Sequence, residues 1–242
     1  MEVLLSPEGL VALVTLTILE IVLGIDNIIF ISIISDRLPE AQRKRAQYIG
    51  LALALFGRVA LLLSISWVLQ LTEPLWELVG RPVSGRDLIL FLGGLFLLYK
   101  STVEMHHMME GPDRAASGQA TSATFGSVIG QILVLDLVFS LDSVITAVGM
   151  VDEITIMITA IVIAIIVMIL GATAISEYVR AHPTMKTLAL AFLLMVGVAL
   201  IAEAFHLHIP RGYVYFAMAF SVGVELVNMR VLAARRAARG ES

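Results

Sequence analysis

Two short stretches carry the residues whose types and spacing could do chemistry. Residues 18–30 read ILEIVLGIDNIIF, an apolar run broken only by Glu20, Asp26 and Asn27. Residues 135–145, LDLVFSLDSVI, repeat the pattern of 19–29 at a constant offset of 116 positions. Asp136 stands for Glu20, Ser140 for Gly24, Asp142 for Asp26 and Ser143 for Asn27. The matches fall on the polar positions, so shared hydrophobicity does not account for them. Carboxylates, an amide and a hydroxyl form an oxygen-only donor set. Such a set suits hard divalent cations, Mg²⁺, Ca²⁺ or Mn²⁺, over Zn²⁺ or Cu⁺. It also suits Na⁺ or a proton, and donor type alone does not rank Mn²⁺ above Ca²⁺. Two membrane aspartates, Asp26 and Asp142, are also the minimum for an aspartyl protease dyad. Their contexts, Leu-Gly-Ile-Asp and Phe-Ser-Leu-Asp, lack a Gly-x-Gly-Asp turn, and the additional acids would have no task, so no enzyme is expected.

The elements that position these residues are membrane helices. Of 242 residues, 59% are hydrophobic and 15% charged, with mean hydropathy +0.94. Soluble domains carry about 25% charged residues, so the chain reads as an all-α polytopic membrane protein in contact with the lipid bilayer. Seven segments approach or exceed the ~20 residues a span needs: roughly 8–35, 47–70, 87–104, 125–149, 153–175, 186–204 and 213–232. Ser6-Pro7 reads as a helix start and Ser84 to Asp87 as a capping box. Asp152-Glu153 places acid where the dipole of the fifth helix favours it. The polar stretch 110–122, EGPDRAASGQATS, divides one membrane domain, 1–242, into halves of about 8–104 and 125–204, followed by the seventh helix. An N-out, C-in arrangement puts eleven Lys/Arg on the inner side and three, Arg81, Arg86 and Arg211, on the outer, as the positive-inside rule requires. Met1-Glu2 precede the first apolar run with no basic residue, so a cleaved signal peptide is not expected. Net charge −4 offers no basic face for nucleic acid, and the absence of cysteine removes thiolate sites and disulfides. Oligomeric state leaves no mark in the sequence.

Three helices separate the two acidic stretches, so the first and fourth helices cross in opposite directions. That is the pattern of an inverted 3+3 repeat with a midplane site between its halves. GLFLLYK (94–100) and GVALIAE (197–203) extend it, each placing a charge six residues after a glycine. Their opposite signs suggest Lys100 and Glu203 as counter-ions. On a regular helix Glu20 and Asn27 share a face, as do Asp136 and Ser143, while Asp26 and Asp142 point aside. Unwinding at Gly24 or Ser140 would gather each trio and free backbone carbonyls as ligands. Each acid at bilayer depth costs ~2.5–3.5 kcal/mol, so four cost on the order of 10 kcal/mol. Beyond the cations counted on the two sides, Arg58 and Lys100 remain, within or at the edge of spans, to offset them; they neutralise the acids or gate the site. A bound cation or protons must offset the remainder. Glu104 and His106, with His107, sit where a cytoplasmic cation would enter; His206 and His208 lie outside, and none of these histidines has an assigned role. The methionines read as packing.

With these residues assembled, the chain resembles the TerC family of integral membrane proteins, close to its short bacterial YgdQ-like members, over essentially its whole length. The resemblance rests on EIVLGIDNIIF (20–30), SGRDLILFLGGLFLLYK (84–100), DLVFSLDSVITAVG (136–149) and HIPRGYVYFAMAFSVGVELVN (208–228). It implies a seven-helix fold related to small exporters that include LysE, in the bacterial inner membrane. It also implies metal-ion homeostasis with Mn²⁺ export foremost, and a family name taken from tellurium resistance. Carried over by residue, the metal positions are Glu20, Asp26, Asn27, Asp136, Asp142 and Ser143. The resulting expectation is a secondary transporter exporting a divalent cation, Mn²⁺ favoured and Ca²⁺ or Mg²⁺ open, with protons in exchange. The alternative is a membrane factor delivering metal to exported proteins.

Overall fold

The computed structural model describes residues 6–78, 81–109, 124–151 and 153–238. Seven long helices account for nearly all of it: α1 (Pro7–Ser35), α2 (Glu40–Leu63), α4 (Gly85–Met109), α5 (Phe125–Met150), α6 (Ile154–Ala181), α7 (Pro183–Ala204) and α8 (Arg211–Ala238). Each is long and apolar enough to cross a bilayer. A short helix α3 (Ile65–Gln70) and a hairpin of β1 (Pro74–Leu78) and β2 (Arg81–Ser84) join α2 to α4.

Local chemistry sets several boundaries. The Ser6 hydroxyl accepts from the Gly9 amide at 3.0 Å, with Pro7 in the first turn. Before α4, Ser84 and Asp87 form a reciprocal capping box. The Ser84 amide and hydroxyl donate to Asp87 Oδ2 at 2.9 and 2.7 Å, and the Asp87 amide donates to Ser84 Oγ at 3.2 Å. Glu153 precedes α6 without a side-chain cap, and Asp152 lies outside the described residues. The second span differs from expectation. It begins at Glu40 and ends at Leu63, not over 47–70, because the cationic stretch Arg43–Arg45 is itself helical and the chain breaks at Ser64. The hairpin, expected as loop, pairs Trp76 with Val83.

Helices α1 and α5 are continuous. The expected unwinding at Gly24 and Ser140 is therefore corrected: a helix that satisfies its own backbone bonds avoids bare polar groups in hydrocarbon. Gly24 serves a different purpose. A Cβ there would run into Met168 Sδ of α6, so glycine makes room for the tip of that side chain against α1.

The most extensive helix contacts all join one half of the chain to the other: α4 with α7, α1 with α6, and α2 with α5. Exchanging the halves maps α1–α6 onto α5–α2 and α4–α7 onto itself, as a two-fold relation requires. At the α4–α7 crossing, a Cβ on Gly94 would lie 2.7 Å from the Gly197 carbonyl oxygen, and one on Gly197 3.0 Å from that of Gly94. These are the two glycines matched in the sequence. Helix α8 packs mainly on α7 and turns nearly all of its span outward.

Candidate functional site

The site forms where three buried stripes meet. On α1, Leu16, Glu20, Gly24 and Asn27 are buried in succession; on α5 the same register gives Ile132, Asp136, Ser140 and Ser143. Spacings of three and four place each set along one helix face. Glu20 lies near the middle of α1 and Asp136 near the middle of α5. The third stripe belongs to α2, where Gln47, Gly50, Leu51, Ala54, Arg58, Leu61 and Leu62 form its buried face. Arg58 falls on that face and is 2% exposed.

Arg58 joins the two half-sites. Its Nη1 donates to Glu20 Oε2, and its Nε and Nη2 each donate to Asp136 Oδ1 at 3.4 Å. The second oxygen of Asp136 accepts from the Ser140 hydroxyl at 3.2 Å. Ser143 Oγ donates to the Ser140 carbonyl at 3.2 Å. Two buried carboxylates thus share one buried guanidinium, leaving a formal charge of −1 among these three groups. A small cavity bounded by Glu20, Leu16, Leu62 and Met157 adjoins them. The side chains of Asp26 and Asp142 lie outside the described residues; their backbones continue α1 and α5. Among the described residues, no three His, Cys, Asp or Glu side chains are arranged to hold a metal ion.

Other candidates separate to the two ends of the bundle. Lys100 and Glu203 are not counter-ions. They lie six residues beyond the Gly94–Gly197 contact on antiparallel helices, about 18 Å apart along the axis at 1.5 Å rise per residue. Glu203 instead accepts from Arg86 Nη2 at 3.2 Å and lies 3.2 Å from His208 Nδ1. His206 Nε2 approaches Asp87 Oδ2 at 3.4 Å. His206 adopts φ 59° where α7 ends, a left-handed conformation in which histidine is among the more tolerated residues. At the other end, Lys100 lines a small cavity with Ser101, Glu104 and Phe30. Glu104, expected where a cation enters, is buried and paired with Arg37, whose Nε donates to its Oε2 at 2.9 Å. Asp36 pairs with Arg180 at 2.9 Å. Burial pushes the Asp36 carboxyl above its ordinary value against the pull of Arg180, Lys186 and Arg43. His106 and His107 are exposed, their rings 6.4 Å apart.

Sequence reasoning did not assign Arg58 to both acids at once, nor Arg37 to Glu104, nor place Met168 beside the acidic stripe. The first was within reach: Arg58 is a cation deep inside an apolar run, far from either end of the span read at 47–70. Met168 carries no such mark, being one apolar residue among many in α6.

The model of the family described as "Integral membrane protein TerC family" matches residues 5–239. The chain is 52% identical over 230 residues to a "UPF0053 protein" of Haemophilus influenzae, covering 95% of this chain and 97% of that one. It is 51% identical over 224 residues to the "UPF0053 inner membrane protein YgdQ" of Escherichia coli, covering 93% and 94%. It is 49% identical over 228 residues to the "UPF0053 inner membrane protein YoaE" of the same species, which covers 94% of this chain but 44% of that longer one. No solved structure matches. The chain belongs to the TerC family and is a multi-pass bacterial inner membrane protein.

Proposed function

We propose that this TerC-family protein is a secondary transporter that moves a divalent metal cation, Mn²⁺ foremost, out of the cytoplasm in exchange for protons. One observation carries the reading: Glu20 and Asp136, in matching positions of the two halves, are buried at mid-helix against the single charge of Arg58. A structural ion pair needs one acid per cation. Here the acids outnumber the cation, and Asp26 and Asp142 add two more in the adjoining sequence. Buried charge of one sign is costly, and a mobile cation removes that cost when it binds.

In this reading Arg58 holds the place that the metal takes. The cation enters between the stripes, exchanges with the guanidinium, and gathers oxygens from Glu20, Asp26 and Asn27 on one side and Asp136, Asp142 and Ser143 on the other. Carboxylates hold either a metal or a proton, which is the chemistry an exchanger uses. N-out, C-in orientation belongs to the same proposal and puts Glu104 and Lys100 on the cytoplasmic side, with Glu203 and the His206–Asp87 contact outside. The α4–α7 pair, pivoting on Gly94 and Gly197, would open one end while the other stays tied.

Inside-out vesicles test the proposal. Mn²⁺ uptake should require the protein, alkalinise the lumen as protons leave in exchange for the entering metal, and fall to background in Asp26→Asn and Asp142→Asn. Uptake equal to wild type in both variants would sink the shared-site reading.

A further inference from the structure

We infer that Leu16 is the gate on a cation route between Glu20 and the Pro7 end of the bundle. The inference rests on the transport reading for the identity of the cargo, but its geometry does not. An open cleft of about 490 Å³ lies at that end, lined by Glu8, Ala12, Thr15 and Leu16 of α1 and by Val151 of α5. Leu16 also bounds the small inner cavity that Glu20 lines. Among the described residues it alone lines both spaces. It is 4% exposed and separates them. Spacings of three and four carry both helices inward along one face. On α1 the row is Glu8, Ala12, Leu16 and Glu20; on α5 it is Val151, Ala147 and Val144, the last two lining the inner cavity.

The chemistry of the route fits a cation. Glu8 stands at its mouth, where a carboxylate raises the local concentration of positive ions, and Glu20 stands at its inner end. Between them Leu16 offers no ligand. An apolar constriction of this kind gates by dewetting, because a hydrated ion gains nothing from hydrocarbon in return for its water. With the N-terminus outside, this is the route by which the exported cation leaves.

The matching residue of the other half has a different setting. Ile132 stands four residues before Asp136, as Leu16 stands four before Glu20. A Cβ on Gly50 would lie 3.1 and 3.2 Å from Ile132 Cγ2 and Cδ1, so that side chain is pressed against α2. The chain is also tied at that end, by Gln47 donating to Ser35 at 3.0 Å, by Asp36–Arg180 and by Arg37–Glu104. Leu16 is bordered by space on both sides, whereas Ile132 is packed on backbone. Two matched side chains in these unlike settings describe a path that is thin at one end and sealed at the other.

Thiol labelling of the full chain in sealed vesicles tests this, and the sequence has no cysteine of its own to interfere. Ala147→Cys places one thiol in the inner cavity, and Glu8→Cys identifies the side on which the cleft opens. The probe is a membrane-impermeant methanethiosulfonate carrying a trimethylammonium group. The Ala147→Cys thiol should react slowly, and only from the side that labels Glu8→Cys. Adding Leu16→Ala should speed the reaction about tenfold, the effect of lowering a barrier by about 1.4 kcal/mol, and Leu16→Phe should slow it. Ile132→Ala, which removes a matched buried side chain away from the cleft, should leave the rate unchanged. A rate indifferent to the size of residue 16 overturns the inference, as does equal acceleration by Leu16→Ala and Ile132→Ala, which is the mark of general loosening. Size-dependent labelling without Mn²⁺ flux in vesicles would uphold the gate and defeat the transport reading instead. Mn²⁺ flux with size-independent labelling would do the reverse.

Discussion

Gly94 and Gly197 meet reciprocally at the α4–α7 crossing, each lying where a Cβ would press on the other's carbonyl oxygen, at 2.7 Å and 3.0 Å. The obstruction is backbone on both sides, so it cannot be relieved by a rotamer change. Gly94→Ala should destabilise by about 1–3 kcal/mol, the usual range for overpacking, and Gly197→Ala by less. Gly126→Ala in α5, where a Cβ would meet nothing within 4 Å, should be neutral or stabilising. Thermal unfolding in detergent gives the ranking. Equal midpoints for all three would remove the crossing from its place as a tight pivot.

The Arg58 bridge makes a second prediction. Arg58→Gln leaves Glu20 and Asp136 buried with no cation, and breaking a buried pair in this way costs about 3–5 kcal/mol. The triple change Glu20→Gln, Arg58→Gln and Asp136→Asn removes the charges together and should recover most of that loss. Mn²⁺ should also raise the unfolding temperature of Arg58→Gln more than that of wild type, because a ligand stabilises the state it binds. Unfolding measured with and without the metal decides both points.

Asp36, at the end of α1, yields a pH dependence. Burial raises its carboxyl above the ordinary value, and the surrounding cations only partly offset this. The folded protein therefore holds that proton more tightly than the unfolded chain. The stabilising contribution is full below the unfolded value of 3.8 and is lost as pH rises through the folded one. Asp36→Asn should flatten this part of the stability profile and match or exceed wild-type stability at neutral pH. A clear loss at neutral pH would mean that the Arg180 pair outweighs desolvation.

Much of this architecture is legible in the residues. Seven apolar runs mark the spans because a bilayer demands length and hydrophobicity together. Ser6 and the Ser84–Asp87 box act through contacts within four residues, so a linear reading finds them. Glu20 and Asp136 stand out because an acid in such a run has no bland explanation, and their matched spacing carries over to matched burial. What escaped depends on contacts between distant helices. A lone glycine costs about 1 kcal/mol in a helix and equally suits a break or a close approach; only the position of Met168 distinguishes them. Lys100 and Glu203 looked complementary by sign, but antiparallel crossing at the glycines carries them apart. Arg58 reaches both acids because α2 presents one stripe to both halves, a fact of packing and not of spacing.

In the proposed mechanism Glu20 and Asp136 form a cation site whose place Arg58 holds. Equilibrium binding of Mn²⁺ to the purified protein tests it most directly, with wild type, Arg58→Gln and Asp136→Asn compared at one pH and salt concentration. Arg58→Gln should bind more tightly by about tenfold, or ~1.4 kcal/mol, and Asp136→Asn should lose binding. Equal affinity across all three proteins would contradict it.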